Sequence, residues 1–171
     1  MGATSFITTA RLLLKPLALS DASFIFELVN TEGWLTFIGN RNITSAADAL
    51  AYIQKILENE NTAYWVVEHA DSHEKIGIVT FIKRDYLPHH DIGFALLPRF
   101  CKNGYAYEAT SAVLNYLISH RNLSYIFAIT IPENERSIKL LQRIGFRFEK
   151  DIDIAEKTVQ VYGMSAGKLI N

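Results

Sequence analysis

The sequence predicts a mixed α/β fold built as one unit. Three observations carry this expectation. The middle of the chain holds β-branched and aromatic runs separated by short polar turns. A strand-helix-strand-helix alternation runs from roughly residue 90 to 145. No linker, fixed-period repeat or charge block divides the 171 residues.

The elements follow in order. ARLLLKPL (residues 10–17) reads as a short apolar strand. Ser20 and Asp21 then offer N-cap oxygens to a helix whose Phe24, Ile25, Leu28 and Val29 share one face. Thr44 and Ser45 offer caps to a second helix, in which Ala46, Leu50, Ile53 and Leu57 recur near helical spacing. AYWVVEH and KIGIVTFIKR flank the polar ADSHE as a hairpin, and DIGFALLP supplies a third strand. A helix over about 105–120, the apolar strand YIFAITI, a helix NERSIKLLQRIG closed by Gly145, and the strands FRFEKDI and VQVYGMS complete the chain. The order is β-α-α-β-β-β-α-β-α-β-β. A doubly wound nucleotide fold is disfavoured, because its alternation would run through the whole chain.

Composition narrows the function. Lys and Arg number 17 against 18 Asp and Glu, giving a net charge of -1. That balance supplies no general attraction to nucleic acid or anionic membrane, and neither is an expected partner. Cys101 is the single cysteine, which rules out an intramolecular disulfide and suits a reducing, cytoplasmic location. The N-terminal stretch has no basic segment followed by a long apolar core. Position 6 is Phe6, so Gly2 does not head a myristoylation pattern. His69 and His73 are four apart, but they fall in the hairpin rather than on a helix, and no metal site is expected.

The stretch PRFCKNGYAYEATSAVLNYL raises the functional question. A helix start leaves backbone N–H groups unpaired and carries about half a positive charge. A glycine-containing loop before it can therefore hold a phosphate. Gly104 permits close approach, and Ala106 and Ala109 keep the first turn small. From this fragment alone, an ordinary strand-to-helix turn is the competing reading.

The wider pattern resembles the GNAT acetyltransferase family. Cys101, Lys102, Asn103, Gly104, Tyr105 and Ala106 occupy the positions of its acyl-CoA loop, with Cys101 replacing the usual Gln or Arg and Lys102 a frequent glycine. Gly104 to Ala109 reproduce Gly-Tyr-Ala-x-Glu-Ala, a continuation seen in the branch resembling ribosomal-protein N-terminal acetyltransferases. Asn134, Ser137, Gly145 and Phe146 match a second block. WLTFIGNRNITSAADALAYI looks like the branch's lid region, and TTARLLLKPL like its first strand. The resemblance covers about residues 8–151. It implies a mainly antiparallel sheet flanked by about four helices, a single N-acetyltransferase domain over residues 1–171, and acetyl-CoA as acetyl donor without a metal. It further implies that backbone groups of Phe94 and Leu96 pair with the pantetheine arm, that loop 101–106 holds the pyrophosphate, and that Asn134 bonds to the arm. The acceptor is then an amine of a small molecule or a protein N-terminus, and the chain a monomer or homodimer.

Transfer to an amine needs a deprotonated amine, a stabilised oxyanion and a protonated leaving thiolate. Asp91, just before the third strand, stands where the resembled branch often carries Glu and is ranked first as proton acceptor. His90 is its neighbour and alternative, and strand alternation sends the two to opposite faces. A solvated strand start and a surface histidine are the competing readings. The tyrosine that many family members use as acid is Leu141 here. Ser137 stands in for it by resemblance, or is simply the third residue of a helix capped by Asn134. Trp34, Phe37 and Arg41 line the acceptor pocket in the lid, or the two aromatics serve packing. A module of the same fold that binds acyl-CoA without turnover is the second function reading.

Overall fold

The computed structural model describes residues 5–168; Gly2 lies outside them. Strands β1 (Ile7–Thr8) and β2 (Leu12–Pro16) open the chain. Helices α1 (Ala22–Val29), α2 (Glu32–Phe37) and α3 (Ala46–Glu58) follow, then strands β3 (Thr62–His69), β4 (Lys75–Ile82) and β5 (Asp91–Leu96). The remainder is α4 (Tyr105–Arg121), β6 (Tyr125–Thr130), α5 (Glu135–Ile144), β7 (Arg147–Ile154) and β8 (Lys157–Ser165). The expected order is present with two additions, β1 and α2, so the described residues hold five α-helices rather than about four. Both additions are too short for hydrophobic periodicity to register.

The strands form one sheet in the order β1-β2-β3-β4-β5-β6-β8-β7. All its neighbours are antiparallel except β5 and β6, which run parallel because α4 carries the chain across between them. One face of the sheet packs on α4 and α5 through Trp65, Val79, Phe81, Ile92, Val113, Leu117, Leu141 and Phe146. The other face packs on α1, α2 and α3 through Val66, Ile78, Leu97, Ile25, Leu28, Trp34 and Ile53.

Two local expectations are corrected. Asp21 does not cap α1: its Oδ2 accepts from Ala18 N at 2.9 Å and its Oδ1 pairs with Lys75 Nζ at 2.6 Å. The carboxylate turns back to satisfy the preceding turn and to tie it to β4. In α3, Ser45 caps through Asp48 N as expected, but the buried stripe is Ala49 and Ile53, with Tyr52 and Ile56 beside it. Leu50 and Leu57 are 44% and 48% exposed. The sequence supports two overlapping apolar stripes, and packing against α1 selects the one that carries small Ala49.

Candidate active site

β5 and β6 are paired at one position only, Asp91 opposite Phe127. Phe127 N donates to His90 O at 2.9 Å, and Leu97 N donates to Ile76 O at 2.8 Å on the other edge. Because a strand's backbone groups alternate between its two edges, these bonds fix the parity of β5. Gly93, Ala95 and Leu97 turn their N–H and C=O to β4. Phe94 and Leu96 turn theirs to the gap that opens beyond Asp91. Phe94 and Leu96 are also only half-buried. The gap is thus edged by free donors and acceptors at the two residues for which pairing with an extended ligand is expected.

At the far end of β5 the chain turns into α4. Lys102 and Gly104 both have positive φ, 68° and 81°, and Gly104 is the N-cap residue with no side-chain cap. Helices α2, α3 and α5 are capped by Thr31, Ser45 and Asn134. The first intrahelical bond of α4 runs from Glu108 N to Gly104 O at 3.0 Å, so the N–H groups before it point out of the helix end. Alternating left- and right-handed residues make a concave nest of such groups, which suits an anion.

This loop is braced from the turn between β1 and β2. Arg11 meets the Glu108 carboxylate through Nε and Nη2, each at 2.7 Å, while its Nη1 donates to Asn103 O at 3.0 Å. Thr9 Oγ1 donates to Glu108 Oε1 at 2.6 Å, and the Arg11 guanidinium lies 4.5 Å from the centre of the Tyr105 ring. Partial burial pushes the Glu108 pKa up, but these bonds to Thr9 and Arg11 together outweigh it and leave it lowered. Half-buried Cys101 directs Sγ at Leu97 O, 3.7 Å away. Ala106 continues the first turn, and an open groove lined by Tyr107, Ser111 and Arg143 runs on along α4.

Across the gap, Asn134 Oδ1 accepts from Ser137 N at 3.3 Å, which gives both residues their capping geometry at the start of α5. Leu141 is fully buried in the core.

His90 and Asp91 diverge as strand alternation requires. His90 stacks on Phe81 at 4.4 Å on the α4 side, and burial together with Arg121 and Lys83 pushes its pKa down. Asp91 lies on the opposite face, 2% exposed, and accepts from Arg84 Nε at 2.6 Å and Nη2 at 3.4 Å. Burial pushes the Asp91 pKa up, with Arg84 acting against it. On that face β5 presents the Asp91 carboxylate, bare backbone at Gly93 and the methyl of Ala95. A side chain at 93 would meet Thr80 Oγ1 at 2.7 Å.

Opposite this shallow strip stand residues that sequence reasoning missed. Tyr64 is aligned with Gly93 through Thr80, and burial followed by a bond with Tyr52 raises the pKa of its phenol. Arg84 reaches Asp91 from the β4–β5 loop. Of the three lid candidates, Trp34 is buried and Arg41 lies over it, 5.9 Å from the ring centre. Phe37 is 36% exposed at the end of α2. None of Tyr64, Tyr52 or Arg84 carries a local signal, since their meeting depends on sheet register.

Comparison with known proteins places these features in context. The acetyltransferase (GNAT) domain model matches residues 11–147. The chain is 30% identical over 147 residues to an uncharacterized N-acetyltransferase, YoaA, of Bacillus subtilis, covering 84% of this chain and 83% of that protein. Among solved structures, a GNAT-family acetyltransferase from Bacillus anthracis superposes with a TM-score of 0.81 at 23% identity, covering 96% of this chain and all of the other. Spermidine N-acetyltransferase from Vibrio cholerae, in complex with CoA and spermine, gives 0.81 at 22% identity over 95% of this chain and 100% of that one.

The left-handed conformation of Lys102 predicts a stability effect. Lys102→Gly removes an αL cost of roughly 1 kcal/mol and raises the thermal midpoint by about 2–4 °C, read by calorimetry. Lys102→Ala keeps the backbone cost and leaves the midpoint unchanged, which separates torsion from charge.

Proposed function

Because the chain belongs to the GNAT acetyltransferase family and is an N-acetyltransferase, we propose that it moves an acetyl group from acetyl-CoA directly to a primary amine of a small molecule or a protein N-terminus. One observation carries the donor assignment. The one-pair contact of β5 with β6 leaves the Phe94 and Leu96 backbone groups free, in line with an uncapped α4 N-terminus. An extended arm ending in a diphosphate fits both features, the arm as an added strand and the anion at the helix end.

The roles follow from that placement. Loop 101–106 receives the pyrophosphate on backbone N–H groups, with Lys102 supplying positive charge and Asn103 and Tyr105 fixed by Arg11. Phe94 and Leu96 pair with the arm from β5, and Asn134 from the α5 side. Acetyl-CoA supplies the thioester carbonyl that the amine attacks. The bare backbone at Gly93 gives the amine room beside Asp91. Asp91, kept ionised by Arg84 yet made more basic by burial, accepts the amine proton through a water. Ser137 donates to the departing sulfur, in the place where Leu141 cannot. Direct transfer needs no nucleophilic cysteine, and the Cys101 thiol points at Leu97 O.

Two outcomes test this reading by release of CoA thiol and by calorimetric binding. Gly104→Val forces a branched residue to a φ of 81° and blocks the nest. It weakens acetyl-CoA binding by roughly tenfold or more, the scale of one lost bond to a charged group. Unchanged affinity in a folded variant removes the loop from the site.

For the base, kcat/KM rises with pH as Asp91 ionises, and burial moves this limb upward from the ordinary Asp value. Asp91→Asn lowers turnover by about 10²- to 10⁴-fold, most at low pH where more of the amine is protonated, with acetyl-CoA affinity nearly unchanged. If Asp91→Asn keeps the wild-type rate and His90→Gln loses it, the base is His90. If both keep it, neither residue is the base.

A further inference from the structure

Resting on the donor placement above, we propose that the groove along α4 receives the nucleoside end of the donor, and that Arg143 holds the phosphate on its ribose. The floor of this groove is one stripe of the helix. Gly104, Tyr107, Glu108, Ser111, Ala112 and Asn115 recur at three- and four-residue spacing and share a face. That face carries no Leu, Ile or Val, whereas the adjacent stripe of Ala109, Val113, Leu114 and Leu117 is buried in the core. Arg11 closes the groove from the β1–β2 turn and Arg143 from α5. Gly104 to Asn115 spans about 16 Å of helix axis at 1.5 Å per residue, with the anion nest at one end. The arm leaves the nest along β5, so the groove continues the same path in the other direction, with room for a nucleoside beyond the diphosphate.

The two arginines of the groove differ in what they already hold. Arg11 directs Nε and Nη2 at Glu108 and Nη1 at Asn103 O, so its charge is offset and its donors are engaged. Arg143 is exposed, and among the described residues no carboxylate lies within ion-pair distance of it. Its guanidinium carbon lies 4.4 Å from the centre of the half-buried Tyr107 ring. That contact steadies the guanidinium through its charge and takes none of its N–H donors. Tyr107 is three residues beyond Gly104, about one helical turn. The groove therefore has one positive charge in excess, placed about a turn from the nest. A phosphate joined to the diphosphate through a single ribose suits both the sign and the spacing, and the guanidinium fork meets its oxygens in a charge-assisted contact. Ser111 and Asn115 further along offer hydrogen bonds to a base or sugar. Such a site selects a free nucleotide thioester over a phosphopantetheine arm without a nucleotide.

The test is calorimetric binding of three donors at low salt: acetyl-CoA, its 3′-dephospho form, and acetyl-phosphopantetheine. The wild type binds acetyl-CoA roughly tenfold or more tightly than the dephospho form, the scale of a hydrogen-bonded contact between charged groups, and this ratio shrinks as salt is added. Acetyl-phosphopantetheine binds more weakly than either. Arg143→Gln brings the ratio close to one while affinity for the dephospho form and the thermal midpoint hold, and Arg143→Lys keeps part of it. Lys139→Gln, which removes a cation of α5 outside the groove that pairs with Glu135, leaves the ratio as in the wild type. A wild type with no preference for acetyl-CoA, or acetyl-phosphopantetheine binding as tightly as acetyl-CoA, overturns the proposal. So does a preference that survives Arg143→Gln, or one that Lys139→Gln lowers equally. Failure of the wild type to bind any of the three overturns the donor reading, and this proposal with it.

Discussion

The parting of β5 from β6 after one paired position is the constraint on which the rest of the structure depends. A parallel pair needs a long crossover, and α4 supplies it. Because α4 starts where β5 ends, its unpaired N–H groups lie at the far end of the gap. The backbone of β5 is shared between β4 on one edge and open space on the other. A continuous parallel ladder would use the same groups for pairing and leave an extended ligand none. The fold thus keeps one strand edge unsatisfied inside an otherwise continuous sheet, a liability unless a ligand meets it.

The two faces of the sheet divide the remaining work. On the α4 side the core is apolar and continuous, and it fixes the helix that starts at the Lys102–Gly104 loop. Arg11 and Glu108 join that helix start to the turn between β1 and β2, beside a short loop that holds two left-handed residues. On the α1–α3 side Asp91 and Arg84 form an ion pair in line with the strand position of Gly93, and Tyr64 and Tyr52 pack against the core of that face. Asp91 is costly to bury and is held by Arg84; removing either would leave the other charge uncompensated. In the proposed reaction the donor and the acceptor come from opposite faces and meet over the bare backbone of Gly93.

What was legible in the sequence is what is written locally. Residues 101–106 form one consecutive run, and Asn134 with Ser137 lie within one helical turn, so the loop and the cap could be read in order. The strands and longer helices announce themselves by their periods. The meaning of Lys102 was half legible: the sequence shows an unusual residue at a frequent glycine, and the structure adds that its φ is 68°. The acceptor face was not legible. Arg84 meets Asp91 across a loop, and Tyr64 comes level with Gly93 only through the register of three strands. Arg11 and Glu108 are 97 residues apart. The choice between Ala49–Ile53 and Leu50–Leu57 as the inner stripe of α3 was likewise made by packing, which no periodicity records.

The most direct measurement of the central claim is residue-resolved amide hydrogen exchange by NMR, with and without acetyl-CoA. The account predicts that the amides of Phe94 and Leu96 and those at the start of α4 gain protection on binding. Ala95, already bonded to β4, does not change. Equal protection along β5, or none at Phe94 and Leu96 while acetyl-CoA is bound, would contradict the assignment of the open edge as the donor site.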